Sequence, residues 1–174
     1  VNNTKSISTI ITIKEITMSD LITKSITVKK SPAELYRIWS NFEQFPNFMQ
    51  HIKSIRDTGA GRSHWVMDGP MGANLEWDAK VTEMEPNKRI AWRSIDDDSS
   101  DANMKTSGQV TFNGLSNNET EVTVTIKYAP PAGVLGEVGA ALFADPEGDL
   151  VDDLRNFKAY AEEGTAVTRP VIRA

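Results

Sequence analysis

The stretch HWVMDGPMGANLEWDAKVTEMEPNKRIAWRS, His64–Ser94, decides the fold. Its apolar residues recur at alternate positions, and two turn signals interrupt it at hairpin spacing. In the first, Pro70-Met71-Gly72, glycine stands third, where a three-residue turn takes a left-handed backbone. Closing that turn sets Gly69 opposite Ala73, Met67 opposite Leu75 and Trp65 opposite Trp77. The second, Pro86-Asn87, brings Val81 near Trp92 and Glu83 near Ile90. A looser turn over Leu115 to Glu119 pairs Phe112 with Val122 and Val110 with Val124. These turns agree on one apolar face, which a one-residue slip would scatter. The other parity carries His64, Asp68, Glu76, Asp78, Lys80, Thr82, Arg89, Arg93, Lys105, Gln109 and Lys127. One wet face and one dry face predict an antiparallel sheet covered on a single side.

Working outward, Ile22, Lys24, Ile26 and Val28 share a parity and read as a half-buried strand. Ser31-Pro32-Ala33-Glu34 combines a capping serine, a proline at the first helical position and a closing glutamate, so a short helix is expected through Trp39. Asn41 is expected to cap a second helical turn carrying Phe42 and Phe45, ended by Pro46. Beyond the sheet, Leu135, Val138, Leu142, Leu150, Leu154, Phe157 and Ala161 keep three-to-four spacing, which predicts a covering helix over about 134–164. Asp145-Pro146 interrupts it, so the helix either kinks or restarts with Asp145 as cap. Asp149, Asp152 and Asp153 are assigned to its wet face. Gly133, Gly136 and Gly139 near its start either allow close packing or leave an opening.

At 174 residues the chain suits one domain, placed at 20–164. Residues 1–19, rich in Ser, Thr and Ile, are an extension, flexible or forming an extra strand, and 165–174 are a tail. A net charge of −5 argues against a nucleic-acid partner, which calls for a basic surface. Cysteine is absent, which removes disulfides and thiolate chemistry and fits a cytoplasmic setting. No apolar run is long enough for stable membrane insertion. Ile7 to Ile16 are broken by Ser, Thr and Lys, leaving no continuous apolar core of a secretory signal. The acidic surface and the helical insert still allow transient contact with a protein or a membrane surface.

Four Trp and six Phe are many large rings for one core of this size. Trp65, Met67, Trp77, Trp92, Met104 and Phe112 share the inner sheet face, Trp39, Phe42, Phe45 and Phe48 come from the insert, and Leu142 and Phe143 from the covering segment. They either pack a dry core or line a ligand cavity, and indoles with a polar edge suit a partly wet cavity better. His51 and His64 have no partner at metal-ligand spacing, and the Asp96–Asp101 loop lacks the ordered pattern of a calcium site, so neither a metal nor a cofactor is expected. No nucleophile elbow or phosphate loop is present. Were there chemistry, an enolate would need a base and an oxyanion donor, and the candidates are Tyr128, Ser94, Tyr160 and, if a bulge turns it inward, Arg93.

The order strand, two short helices, six-stranded meander, long helix resembles the START-like (SRPBCC) superfamily that includes birch-pollen-allergen relatives. More narrowly, the chain is similar to its polyketide cyclase/dehydrase and coenzyme Q-binding group. The resemblance is carried by Ser31–Trp39, Asn41–Pro46, Trp77–Val81, Arg89–Ser94 and Asp152–Phe157, and it spans about 20–164. It implies an α+β helix-grip fold, a curved antiparallel sheet wrapped on a long C-terminal helix, with a cavity between them that opens near the insert. It implies a hydrophobic small-molecule partner. The leading expectation is binding or carriage of a lipid, isoprenoid or aromatic polyketide-like molecule, and the alternative is aldol-type cyclisation or dehydration of a polyketide.

Overall fold

A computed structural model describes residues 21–69, 72–95, 104–129 and 143–167. The extension 1–19, the loop 96–103, the glycines 133–139, and Leu135, Val138 and Leu142 lie outside the described residues. The elements in order are β1 (Ile22–Val28), α1 (Pro32–Ser40), a 3-10 turn (Phe42–Asn47), six strands, β2 (Ile52–Gly59), β3 (Arg62–Asp68), β4 (Asn74–Glu85), β5 (Arg89–Ser94), β6 (Lys105–Gly114) and β7 (Thr120–Ala129), and α2 (Pro146–Glu163). The strands form one curved antiparallel sheet in the order β1-β7-β6-β5-β4-β3-β2, so the first strand returns beside the last.

The turn chemistry sets the registers. Gly72 takes φ 78°, the Gly69 N–H donates to the Ala73 carbonyl at 2.8 Å, and Trp65 lies opposite Trp77. The Leu115–Glu119 turn closes through the Leu115 N–H at 2.7 Å, with Asn117 and Asn118 left-handed, and pairs Phe112 with Val122. One register differs from expectation. Val81 does face Trp92, but a bulge between Val81 and Glu83 sets Met84, not Glu83, opposite Ile90. A bulge adds a residue to one strand only, and alternation alone does not reveal it.

The Ser31 capping box forms as its residues dictate: the hydroxyl accepts the Glu34 N–H and Glu34 accepts the Ser31 N–H. The Asn41 side chain, by contrast, caps no second helix. Its backbone N–H closes α1 on Ile38, and the next segment winds as a 3-10 turn with Pro46 inside it. A 3-10 turn suits a short segment with an interior proline better than an α-helix does. At α2 the helix restarts, because the Asp145 carboxylate accepts the Gly148 N–H at 3.0 Å, and Gly164 ends it at φ 73°.

This last helix grips both edges of the sheet. Toward β1, Lys24 pairs with Glu147 at 2.6 Å, and Lys158 donates to the Thr27 carbonyl at 2.5 Å. The Lys29 N–H also donates to Glu162 at 2.6 Å. Toward the insert and β2, Asp153 accepts the Gln50 N–H at 3.0 Å and Tyr160 donates to Gln44 at 2.9 Å. Leu150, Leu154, Phe157 and Ala161 point inward as their spacing requires. Between the two rows of contacts Trp39 sits almost sealed, its indole edge-on to Phe45 (5.4 Å), Phe112 (6.3 Å) and Phe157 (4.9 Å).

Candidate ligand-binding site

Sheet curvature and the single covering helix leave a cavity of about 150 Å³ between them. Its floor is aromatic. Trp65 and Trp77, cross-strand partners, stack with centroids 5.6 Å apart at 25°, and Trp39, Phe45 and Trp92 complete the floor. Trp92 owes its position to Gly108 across the strand pair, where a Cβ would stand 2.7 Å from the indole. Met67, Met104, Val124 and Ile126 add flexible or aliphatic surface, and Phe143 leans on Tyr128 at 5.6 Å to close one end.

The expected cavity residues divide into three groups. Trp39, Phe45, Trp65, Met67, Trp77, Trp92, Met104 and Phe143 line the space. Phe42, Phe48 and Phe112 do not. Phe48 and Phe112 are packed against neighbouring rings behind the floor, and Phe42 faces a separate recess with Asn41, Glu43 and Arg62. Leu142 lies outside the described residues. Met49 and Ile52, which neither spacing nor parity singles out for it, also line the cavity, as do Pro146 and the inward Leu150 of α2.

The candidates for chemistry divide as well. Tyr128 lines the cavity, and loss of hydration, aided by the negative charge of Asp149, pushes its phenol up to about 12. It therefore keeps its proton and acts as a donor, not a base. Arg93 is a correction: it is exposed opposite Lys80 on the outer face, because the bulge lies elsewhere on β4 and leaves its parity unchanged. Tyr160 is tied to Gln44 and tilted against Phe48 with centroids 5.7 Å apart, away from the cavity lining. The Ser94 hydroxyl is buried, accepting the Thr106 N–H at 3.1 Å. His64 sits on the outer face between Glu76 (3.3 Å) and Asp78 (2.8 Å).

Sequence reasoning missed a polar pole at the cavity mouth. Asp149 and Asp153, assigned to the wet side of the helix, line the cavity instead, together with His51 and Thr106. His51 Nε2 stands 3.5 Å from the Asp149 carboxylate, and these two side chains keep 38% and 43% exposure, so this end meets solvent. Asp153 lies deeper. Burial is the main cause that pushes its carboxyl from 3.8 to about 7. The Gln50 N–H and His51 oppose the rise, and Asp149 and Asp152 add to it. Near neutral pH the group is therefore present both with and without its proton. Among the described residues no group of three His, Asp or Glu side chains is arranged to hold a metal ion.

A sheet wrapped on its terminal helix over an aromatic cavity defines a helix-grip protein of the START-like (SRPBCC) class. The chain belongs to the polyketide cyclase/dehydrase and lipid transport family, whose model matches residues 28–155. An uncharacterised 17.2 kDa protein of Streptomyces lincolnensis is 31% identical over 142 residues, 82% of this chain and 89% of that one. A Deinococcus radiodurans crystal structure is 30% identical with a TM-score of 0.67, over 84% of this chain and 99% of that one. A START superfamily protein of Mycobacterium smegmatis shares the fold at 18% identity and a TM-score of 0.61, over 84% and 100% of the two chains. No described helix is long and apolar enough to cross a membrane.

Proposed function

We propose that the protein binds and carries a hydrophobic small molecule, of lipid, isoprenoid or aromatic type, in the cavity between the sheet and α2. The observation that supports this is unfilled space walled by four indoles and two phenyl rings, where a dry core would be close-packed. At about 150 Å³ the space matches an apolar cavity that takes up one benzene ring. A larger ligand would extend through the polar mouth. A cytoplasmic setting, expected from a chain without cysteine, belongs to the same proposal.

Toluene and naphthalene titrations test it, followed through the indole N–H resonances of the tryptophans. Saturable shifts of these four indoles, all of which line the cavity, are expected. Val124→Phe, which fills the space from β7, should weaken binding by about tenfold or more while the fold is retained. Absence of saturable shifts, or shifts indifferent to Val124→Phe, would refute the reading.

One observation favours a second reading, aldol-type cyclisation or dehydration of a polyketide-like substrate. Asp153, poised near neutrality, and Tyr128, a phenol that holds its proton, line one cavity and supply the base and the oxyanion donor that enolisation needs. Under this reading Asp153→Asn abolishes turnover of a linear polyketone but preserves toluene binding. A pure carrier shows no turnover to lose.

A further inference from the structure

The binding reading leaves open what the ligand carries at its exposed end, and the polar pole constrains that. We propose that the site takes ligands whose polar head is a hydrogen-bond donor without negative charge, a hydroxyl or an ammonium, and rejects carboxylate and phosphate heads. This rests on the cavity-binding reading above and deepens it.

Three observations carry the inference. First, the pole contains two carboxylates one helical turn apart, Asp149 and Asp153, both lining the cavity. Second, no Lys or Arg lines the cavity among the described residues. Arg155, on the same helix, is paired outward with Asp152 at 2.9 Å, and Lys24 is paired with Glu147 on the β1 side. Among the described residues lining the mouth, the one group able to become a cation is His51. Even when protonated it stands beside Asp149, whose charge it offsets, so it brings no net positive charge to the mouth. An anionic head therefore finds no net positive charge at the mouth and meets Asp153 as like charge unless that carboxyl first takes up a proton, which disfavours it against a neutral or cationic head. Third, a hydroxyl or ammonium offers Asp153 the donor that its carboxylate lacks beyond the single Gln50 N–H. A desolvated carboxylate accepts several such bonds, so a ligand donor fits there. Free fatty acids and phospholipids are thereby disfavoured, and alcohols, phenols in their neutral form and amines are favoured.

The test uses four probes on one ring, which the cavity size suits: toluene as the headless reference, benzyl alcohol, benzylamine and benzoate. Their affinities are measured on the intact protein at neutral pH by the same indole shifts. Benzyl alcohol and benzylamine are each expected to bind about tenfold tighter than benzoate or more. Asp153→Asn should shrink the benzylamine-to-benzoate ratio by about fivefold or more, and taking the ratio cancels any general change in cavity affinity that toluene reports. Asp149→Asn, at a more exposed position, gives the same direction of change should Asp153→Asn fail to fold. If toluene binds and benzoate binds as tightly as the alcohol and the amine, the head-group inference falls and the cavity reading stands. If toluene itself fails to bind, the cavity reading falls and takes this inference with it.

Discussion

Asp153→Asn exchanges a carboxyl for an amide of nearly the same volume, so it isolates the electrostatics of the cavity mouth. In the unfolded chain the carboxyl titrates near its ordinary 3.8, and in the fold burial pushes it up to about 7. Folding thus takes up a proton between those values. The stabilising contribution is therefore complete below about 3.8 and is lost as the pH rises through about 7. At about 1.4 kcal/mol per pH unit the whole span has a ceiling of about 4 kcal/mol. The side chain is only half-buried and solvent reaches the mouth, so screening reduces this. A loss of about 1–2 kcal/mol between about pH 5 and pH 8 is the expected result for the native chain. Urea unfolding, monitored by tryptophan fluorescence at several pH values, measures it. The asparagine variant keeps His51, Asp149, Asp152 and Tyr128, so the difference between the two curves reports Asp153 together with its coupling to these neighbours. The variant's stability should fall less with rising pH, and at about pH 8 it should equal or exceed that of the native protein. Parallel curves would refute the placement of this carboxyl in a desolvated mouth.

Gly108→Ala should destabilise by about 1–3 kcal/mol in chemical denaturation, because a Cβ would stand 2.7 Å from the Trp92 ring and 2.8 Å from the Thr125 carbonyl oxygen, and the latter is backbone. Trp39→Ala should cost about 3–5 kcal/mol, since it removes the ring on which Phe45, Phe48, Phe112 and Phe157 converge, and thermal unfolding reads the loss. Ser31→Ala should cost about 1 kcal/mol by the same measurement, through loss of the cap on Glu34. It should leave probe binding unchanged, because Ser31 does not line the cavity.

The sheet is legible in the sequence because two independent signals have to agree. Turn residues that demand a left-handed backbone, such as Gly72, set a register, and alternation then has to put Trp65, Trp77, Met67 and Leu75 on one side. Where only one of these signals is present, reading fails. The Pro86-Asn87 turn marks its hairpin, but nothing in the alternation of Val81, Thr82 and Glu83 marks the extra residue. The 3-10 winding of Phe42–Asn47 is hidden for a related reason. Asn before a short apolar segment reads as a helix cap, although here its N–H serves the preceding helix instead.

The cavity's apolar floor is accessible from parity, but its mouth is not, and the reason lies in what helical periodicity measures. Pro146, Asp149, Leu150 and Asp153 lie on one face by spacing alone, three to four residues apart, and all four line the cavity. Periodicity assigns every charged member of such a set to water, because a close-packed partner surface would reject it. A helix that covers a cavity has no such partner along part of its length, so carboxylates on the margin of its apolar stripe face a space and not a packed wall. What they meet across that space is His51, at the entry to β2, and Tyr128, near the end of β7. That juxtaposition spans most of the chain and leaves no trace in local spacing. In a fold of this kind, acidic residues beside the inward leucines of the covering helix are therefore placed by asking whether the sheet across from them is filled, and here it is not.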